Sequence, residues 1–221
     1  MLTNSSLPPS TPQSSSTSTT ASAYLLPSFL YVPVITLTQN SIERFARAFL
    51  LPKALHPALT TNAALSANQK LDLLQRPHLQ DAFPGVRQVN ELLVLICGHG
   101  ARDSRCGTLG PILHAEFVDK LRDRGFDVDG GADNAEGKEG GARRHAKVAE
   151  ISHVGGHKFA GNVIIYIPPS WDHPLAGKGV WYGRVEPQSV EGLVNATVVE
   201  GKVVKDLFRG GVDKGGEVMR L

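Results

Sequence analysis

The sharpest hydrophobic signal in the chain is residues 92–96, an unbroken apolar run of the kind a strand buried on both faces shows. It runs into CGHGARDSRCG, a polar loop flanked by glycine. The TLGP stretch at 108–111 then predicts a helix start, with proline near its first position. Leu113, Phe117 and Leu121 recur every four residues, joined by Ile112 and Val118, and Gly125 ends the helix. Residues 147–152 and 162–167 predict two strands, the second stopped by Pro168 and Pro169. Residues 180–185 predict another strand, 187–194 a short helix, and 202–207 a terminal strand. A strand, loop and helix followed by paired strands and a last helix is an α/β order, with helices layered on a small central sheet.

Upstream the pattern is weaker. Residues 24–37 (YLLPSFLYVPVITL) predict one or two short strands, broken by proline and placed at a sheet edge. Ser41 is the expected cap of a helix over 42–49, and Ser66 of one over 66–74. Residues 1–22 are mostly Ser, Thr and Pro, a composition that buries too little apolar surface to offset chain entropy, so a disordered leader is expected. Residues 127–144 are Gly-rich, charged and aperiodic, which predicts a mobile surface insertion. The expected organisation is a leader over 1–22, an N-terminal remnant and connector over 23–88, an α/β domain over 89–211, and a tail over 212–221.

Composition narrows the function classes. The 221 residues carry 23 Lys and Arg against 21 Asp and Glu, a net charge of +2, and none of these charged residues precedes Glu43. With no Lys/Arg stripe, a nucleic-acid partner is not expected. No apolar run approaches the ~20 residues of a membrane span, and residues 24–37 are interrupted by Pro27 and Pro33. Two cysteines exclude a disulfide-stapled scaffold. The leader is Ser-rich and acid-poor like a mitochondrial transit peptide, but lacks its arginines; a secretory signal would need a basic start.

Those two cysteines, Cys97 and Cys106, bracket the loop after the buried strand, and His153 and His157 lie between two later strands in ISHVGGHKFAG. Thiolate and neutral imidazole bind borderline and soft transition metals. Two species fit the set: tetrahedral zinc, or a [2Fe–2S] cluster with two Cys and two His ligands. The loop of residues 98–105 is wider than the usual zinc knuckle of about two to four residues, which favours the cluster. Cys106 is expected just before the helix start, where the helix dipole favours a thiolate. Taken alone the cysteines read as incidental thiols, and a Cys97–Cys106 disulfide belongs to an oxidising compartment. The spacing is not the CxxC of thiol oxidoreductases, and Val154-Gly155-Gly156 argues against a helical HxxxH. Arg102, Arg105 and Lys158 read either as donors to cluster sulfides and attractors of an acidic redox partner, or as surface charge. Asp103 caps or braces the cysteine loop. His99, His114 and His145 read as surface histidines, and His56, His78 and His173, each beside proline, as loop residues.

CGHGARDSRCG followed by HVGGHKFAGNVIIY, WYGRVEP and LFRGG resembles the sucrase/ferredoxin-like family of thioredoxin-like [2Fe–2S] proteins, and within it a fungal branch, the altered inheritance of mitochondria proteins. The resemblance spans roughly residues 24–211. It implies a thioredoxin-like ferredoxin fold with Cys97, Cys106, His153 and His157 as cluster ligands. It further implies electron transfer or thiol-redox quality control with an unidentified redox partner, rather than a substrate-specific enzyme, in the mitochondrion or, alternatively, the cytoplasm. No acid/base carboxylate pair for glycoside hydrolysis can be placed, whatever the family's first name suggests. Family members carry a longer N-terminal half where this chain has its Ser/Thr leader.

Overall fold

The computed structural model describes residues 2–10, 19–128 and 144–220. The chain forms two compact units. The smaller takes in residues 9–25 and 30–88. Its strands β1 (Thr20–Leu25) and β2 (Leu30–Thr36) pair antiparallel, and β3 (Arg87–Gln88) pairs with the start of β2. Helix α1 (Gln39–Phe45) runs on through a wider π-type turn to Leu50. Its cap is Thr38, whose hydroxyl accepts the Ser41 N–H, and not Ser41 itself. Two short helices follow, α2 (Pro57–Thr60) and α3 (Ala67–Asp72). The expected cap Ser66 is in place, with a reciprocal bond from its own N–H to Gln69. Val32, Ile35, Ala48 and Phe83 form the core, with Phe45, Phe49 and Phe83 at ring separations of 5.5–5.9 Å.

The larger unit holds residues 1–8, 26–29 and 89–221. Strand β4 (Leu92–Cys97) leads through the cysteine loop to helix α4 (Ser104–Asp123), and β5 (Asp127–Val128) and β6 (His145–Ile151) follow. Then come β7 (Val163–Ile167), β8 (Lys178–Tyr182), the short helix α5 (Val190–Leu193), β9 (Phe208–Asp213) and β10 (Val218–Met219). The sheet order is β10-β9-β8-β7-β4-β6-β5. Strand β6 lies parallel to β4, whereas β7 is antiparallel to both β4 and β8. A βαβ unit and a ββα unit joined at a central β4–β7 pair is the thioredoxin-like order that the resemblance implied. Leu113, Phe117 and Leu121 of α4 and Val190 and Leu193 of α5 pack with Leu92, Val94, Ile96, Val163 and Ile165, each at most 1% exposed. Burial at that level is worth roughly 1.5–3 kcal/mol per large side chain. Across the sheet, Phe29 meets the Tyr166 ring edge-on at 5.8 Å.

Some element boundaries differ from expectation. Helix α4 begins four positions early, at Ser104, because the Asp103 carboxylate accepts the Arg105 N–H and caps it; Pro111 therefore lies inside the helix. Residues 202–207 form no strand. A short turn occupies Lys205–Leu207 and the strand is β9, whose FRGGVD sequence lacks apolar alternation and is held by backbone pairing to β8. Residues of the expected tail then fold back, Val218 opposite Val212 and Met219 opposite Gly211. Within the stretch expected as a leader, Ser5 bridges to Ile151, the Ser6 N–H donates to the Glu150 carbonyl, and residues 20–22 open β1; residues 11–18 lie outside the described part. So does most of the expected insertion, residues 129–143.

Candidate metal centre

Two parallel strands set the distance across the site. Cys97 ends β4 directly opposite Ile151, the last residue of β6, and His153 follows two positions later. The Cys97 N–H donates to the Asn162 carbonyl at 3.0 Å, which ties the cysteine strand to the far end of the histidine segment. Cys106 reaches the same point from the other side, in the first turn of α4. The loop between the cysteines lies flat on the helix through two glycine pairs. A Cβ on Gly107 would stand 2.5 Å from the Gly100 Cα, and one on Gly110 would stand 2.8 Å from the Gly98 Cα. Nothing larger fits. Asp103, 9% exposed, caps the helix, a role worth about 1 kcal/mol.

The Cys97 and Cys106 sulfurs and a ring nitrogen of His153 all lie within 4.8 Å of one another, with Cys97 Sγ 3.7 Å from His153 Nδ1. Both cysteines are 1% exposed and neither forms a disulfide; His153 is half-buried. Burial, reinforced by Cys97 and the Asp103 charge, pushes the Cys106 thiol up to about 11, while the Gly161 N–H directed at its sulfur opposes the shift. Burial thus works against the thiolate, and Cys106 lies within the first turn of α4, not just before the helix start as expected. Two buried sulfurs next to an imidazole form a donor set of the kind that could hold a metal ion.

A sucrase/ferredoxin-like profile matches residues 1–210. The chain belongs to the sucrase/ferredoxin-like family. Curated relatives include "Altered inheritance of mitochondria protein 32" of Clavispora lusitaniae, 35% identical over 178 residues, covering 77% of this chain and 52% of the relative. The protein of that name in Meyerozyma guilliermondii is 39% identical over 127 residues, covering 58% and 37%. "Actin patches distal protein 1" of Saccharomyces cerevisiae is 37% identical over 127 residues, covering 57% and 36%. The chain thus spans about half or less of the length of these relatives.

Within this sucrase/ferredoxin-like chain, the expected residues divide as follows. Cys97, Cys106 and His153 come together. His157 opens the short turn His157–Phe159 four positions on, and its side chain lies outside the described part. His99, Arg102, Arg105 and Lys158 are exposed, and Arg105 pairs with Asp103 at 3.0 Å. His114 is half-buried and not a surface group; its Nε2–H donates to the Val148 carbonyl at 3.1 Å. His145 is exposed on β6, 3.3 Å from Asp127.

One residue escaped the sequence reading. Arg209, at the start of β9 in the LFRGG block, stacks on Phe159 at 3.9 Å and donates to the Asn162 side-chain oxygen. A Cβ on Gly155 would stand 2.3 Å from its Nη1, and one on Gly183 would stand 2.4 Å from its Cδ. It therefore braces the segment that carries His153 at three points. Glycines at 155 and 183 beside a basic residue are a signal legible only once the strand pairing is known. Among the described residues no helix is long and apolar enough to cross a membrane.

Proposed function

We propose that this chain holds a [2Fe–2S] cluster on Cys97, Cys106, His153 and His157 and acts in mitochondrial electron transfer or thiol-redox quality control. The observation that carries this reading is the convergence of two buried thiols and an imidazole within 4.8 Å in a family named for ferredoxin likeness. The relatives' name, altered inheritance of mitochondria, supports the compartment. A cluster with two imidazole ligands supplies a one-electron site at higher potential than an all-thiolate one. The chain's part is to exclude water through the buried cysteines, to direct the Gly161 N–H at the Cys106 sulfur, and to hold His153 through the Arg209 brace. A metal bound here would displace the proton of the Cys106 thiol, so its uptake would rise with pH.

A second reading is structural zinc, favoured by the compact donor spacing, which a single tetrahedral ion also spans. Metal and acid-labile sulfide analysis of anaerobically purified protein, with its visible spectrum, separates the two. About two irons and two sulfides per chain with visible colour support the cluster. One zinc in a colourless protein supports the alternative.

A further inference from the structure

Three cations converge on one ring beside the candidate centre. Lys158 Nζ lies 5.1 Å, Arg184 Cζ 5.9 Å and Arg209 Cζ 3.9 Å from the centroid of Phe159. The negative face of the ring offsets part of their mutual repulsion. Among the described residues none of the three forms an ion pair; the one polar side chain that Arg209 meets, Asn162, is neutral. A net charge of only +2 means that this concentration is local and does not follow from a basic composition.

The arrangement is built and not incidental. Arg184 sits at a φ of 58°, a left-handed conformation that a long side chain rarely adopts, and from there it reaches the ring. Gly155 and Gly183 leave the space that the Arg209 side chain fills. Lys158 and Arg184 are exposed while Phe159 is half-buried, so the charges rim a partly apolar centre. The face is continuous with the segment that carries His153.

We propose that Lys158, Arg184 and Arg209 around Phe159 form a docking face for an acidic segment of a partner protein. As the partner of the centre described above, this segment rests on that reading for its role but not for its binding. Guanidinium forks match carboxylates, and an aromatic centre rimmed by arginine is the composition of a protein interface. Nucleic acid or an anionic membrane would ask for a wider basic field than a chain of charge +2 offers. Opposite charge steers such a partner to the site and fixes its register.

The test is amide-resolved NMR of the full metal-loaded chain titrated with capped hexaglutamate, with hexalysine as control. Saturable shifts are expected at Lys158, Phe159, Gly183 and Arg184, and none with hexalysine. The apparent affinity falls roughly tenfold or more in about 0.5 M salt. K158E/R184E abolishes the shifts. K158Q/R184N weakens them, and asparagine tolerates the left-handed position, so this second variant answers if the first fails to fold. Shifts that are absent, centred elsewhere, or unchanged in K158Q/R184N overturn the proposal, as does tighter binding to oligothymidylate or to phosphatidylglycerol vesicles than to hexaglutamate. Metal analysis of the same sample separates the two readings. Peptide binding without iron leaves this face standing and removes the cluster; iron without peptide binding does the reverse.

Discussion

Cys97 Sγ stands 3.7 Å from His153 Nδ1 although 56 positions separate them in the chain. The distance is set by the parallel register of β4 and β6, which brings Cys97 opposite Ile151. Because that pairing lies in the interior of a seven-stranded sheet, the fold fixes Cys97 against the end of β6, and His153 follows in the segment that Arg209 braces. Cys106 is added by a helix whose start is fixed by Asp103.

The brace of Arg209 on Gly155, Phe159 and Asn162 gives a prediction about metal retention. Arg209→Met frees the segment that carries His153, and release of metal to a chelator speeds up by about 10-fold, the range seen when groups supporting a ligand are removed. Arg209→Lys keeps the charge and part of the ring contact, and recovers part of the loss. Both variants unfold at nearly the wild-type denaturant midpoint if the role is positioning.

Gly107 has no room for a methyl group, since its Cβ would meet the Gly100 backbone at 2.5 Å. Gly107→Ala is expected to cost about 1–3 kcal/mol in urea unfolding, the usual penalty for overpacking, and to lower metal content by lifting the cysteine loop off α4. Gly192→Ala in α5 meets nothing within 4 Å and serves as the control. It should be neutral or stabilise by about 0.5–1 kcal/mol, through the lower chain entropy of alanine.

A pH dependence follows from His173, remote in sequence from the donor residues. Burial lowers its pKa below the ordinary value of 6.5, and its Nδ1 is engaged in accepting the Leu175 N–H at 3.1 Å. The unfolded chain thus takes up a proton more readily than the folded one. Stability from the neutral form is complete above pH 6.5 and is lost as pH falls below it towards the lowered folded value. Unfolding midpoints measured across this window should fall in the wild type. They should fall less in His173→Asn, whose side-chain oxygen can still accept from Leu175.

The sequence and the structure agree where side-chain burial alone decides. The apolar runs that become β4 and β7 are buried on both faces, and the four-residue repeat of Leu113, Phe117 and Leu121 is the inner face of α4. The disagreements share a cause: the deciding interaction is made by backbone or by a polar group. Asp103 starts α4 from inside a polar, glycine-rich loop, and β9 pairs through its backbone with glycines at its centre. The site shows the same division. Paired cysteines and histidines mark candidate donors in one dimension, three of which converge, whereas Arg209 acquires its role only when β9 is laid beside β8, next to Gly183.

Pulsed electron paramagnetic resonance of the dithionite-reduced protein, grown with natural and with nitrogen-15 histidine, reads histidine ligation of the cluster. The expected result is a paramagnetic signal whose nitrogen couplings change with the label and diminish in His153→Ala. A paramagnetic signal without histidine coupling, or none in a protein shown to be folded and loaded with metal, would contradict it.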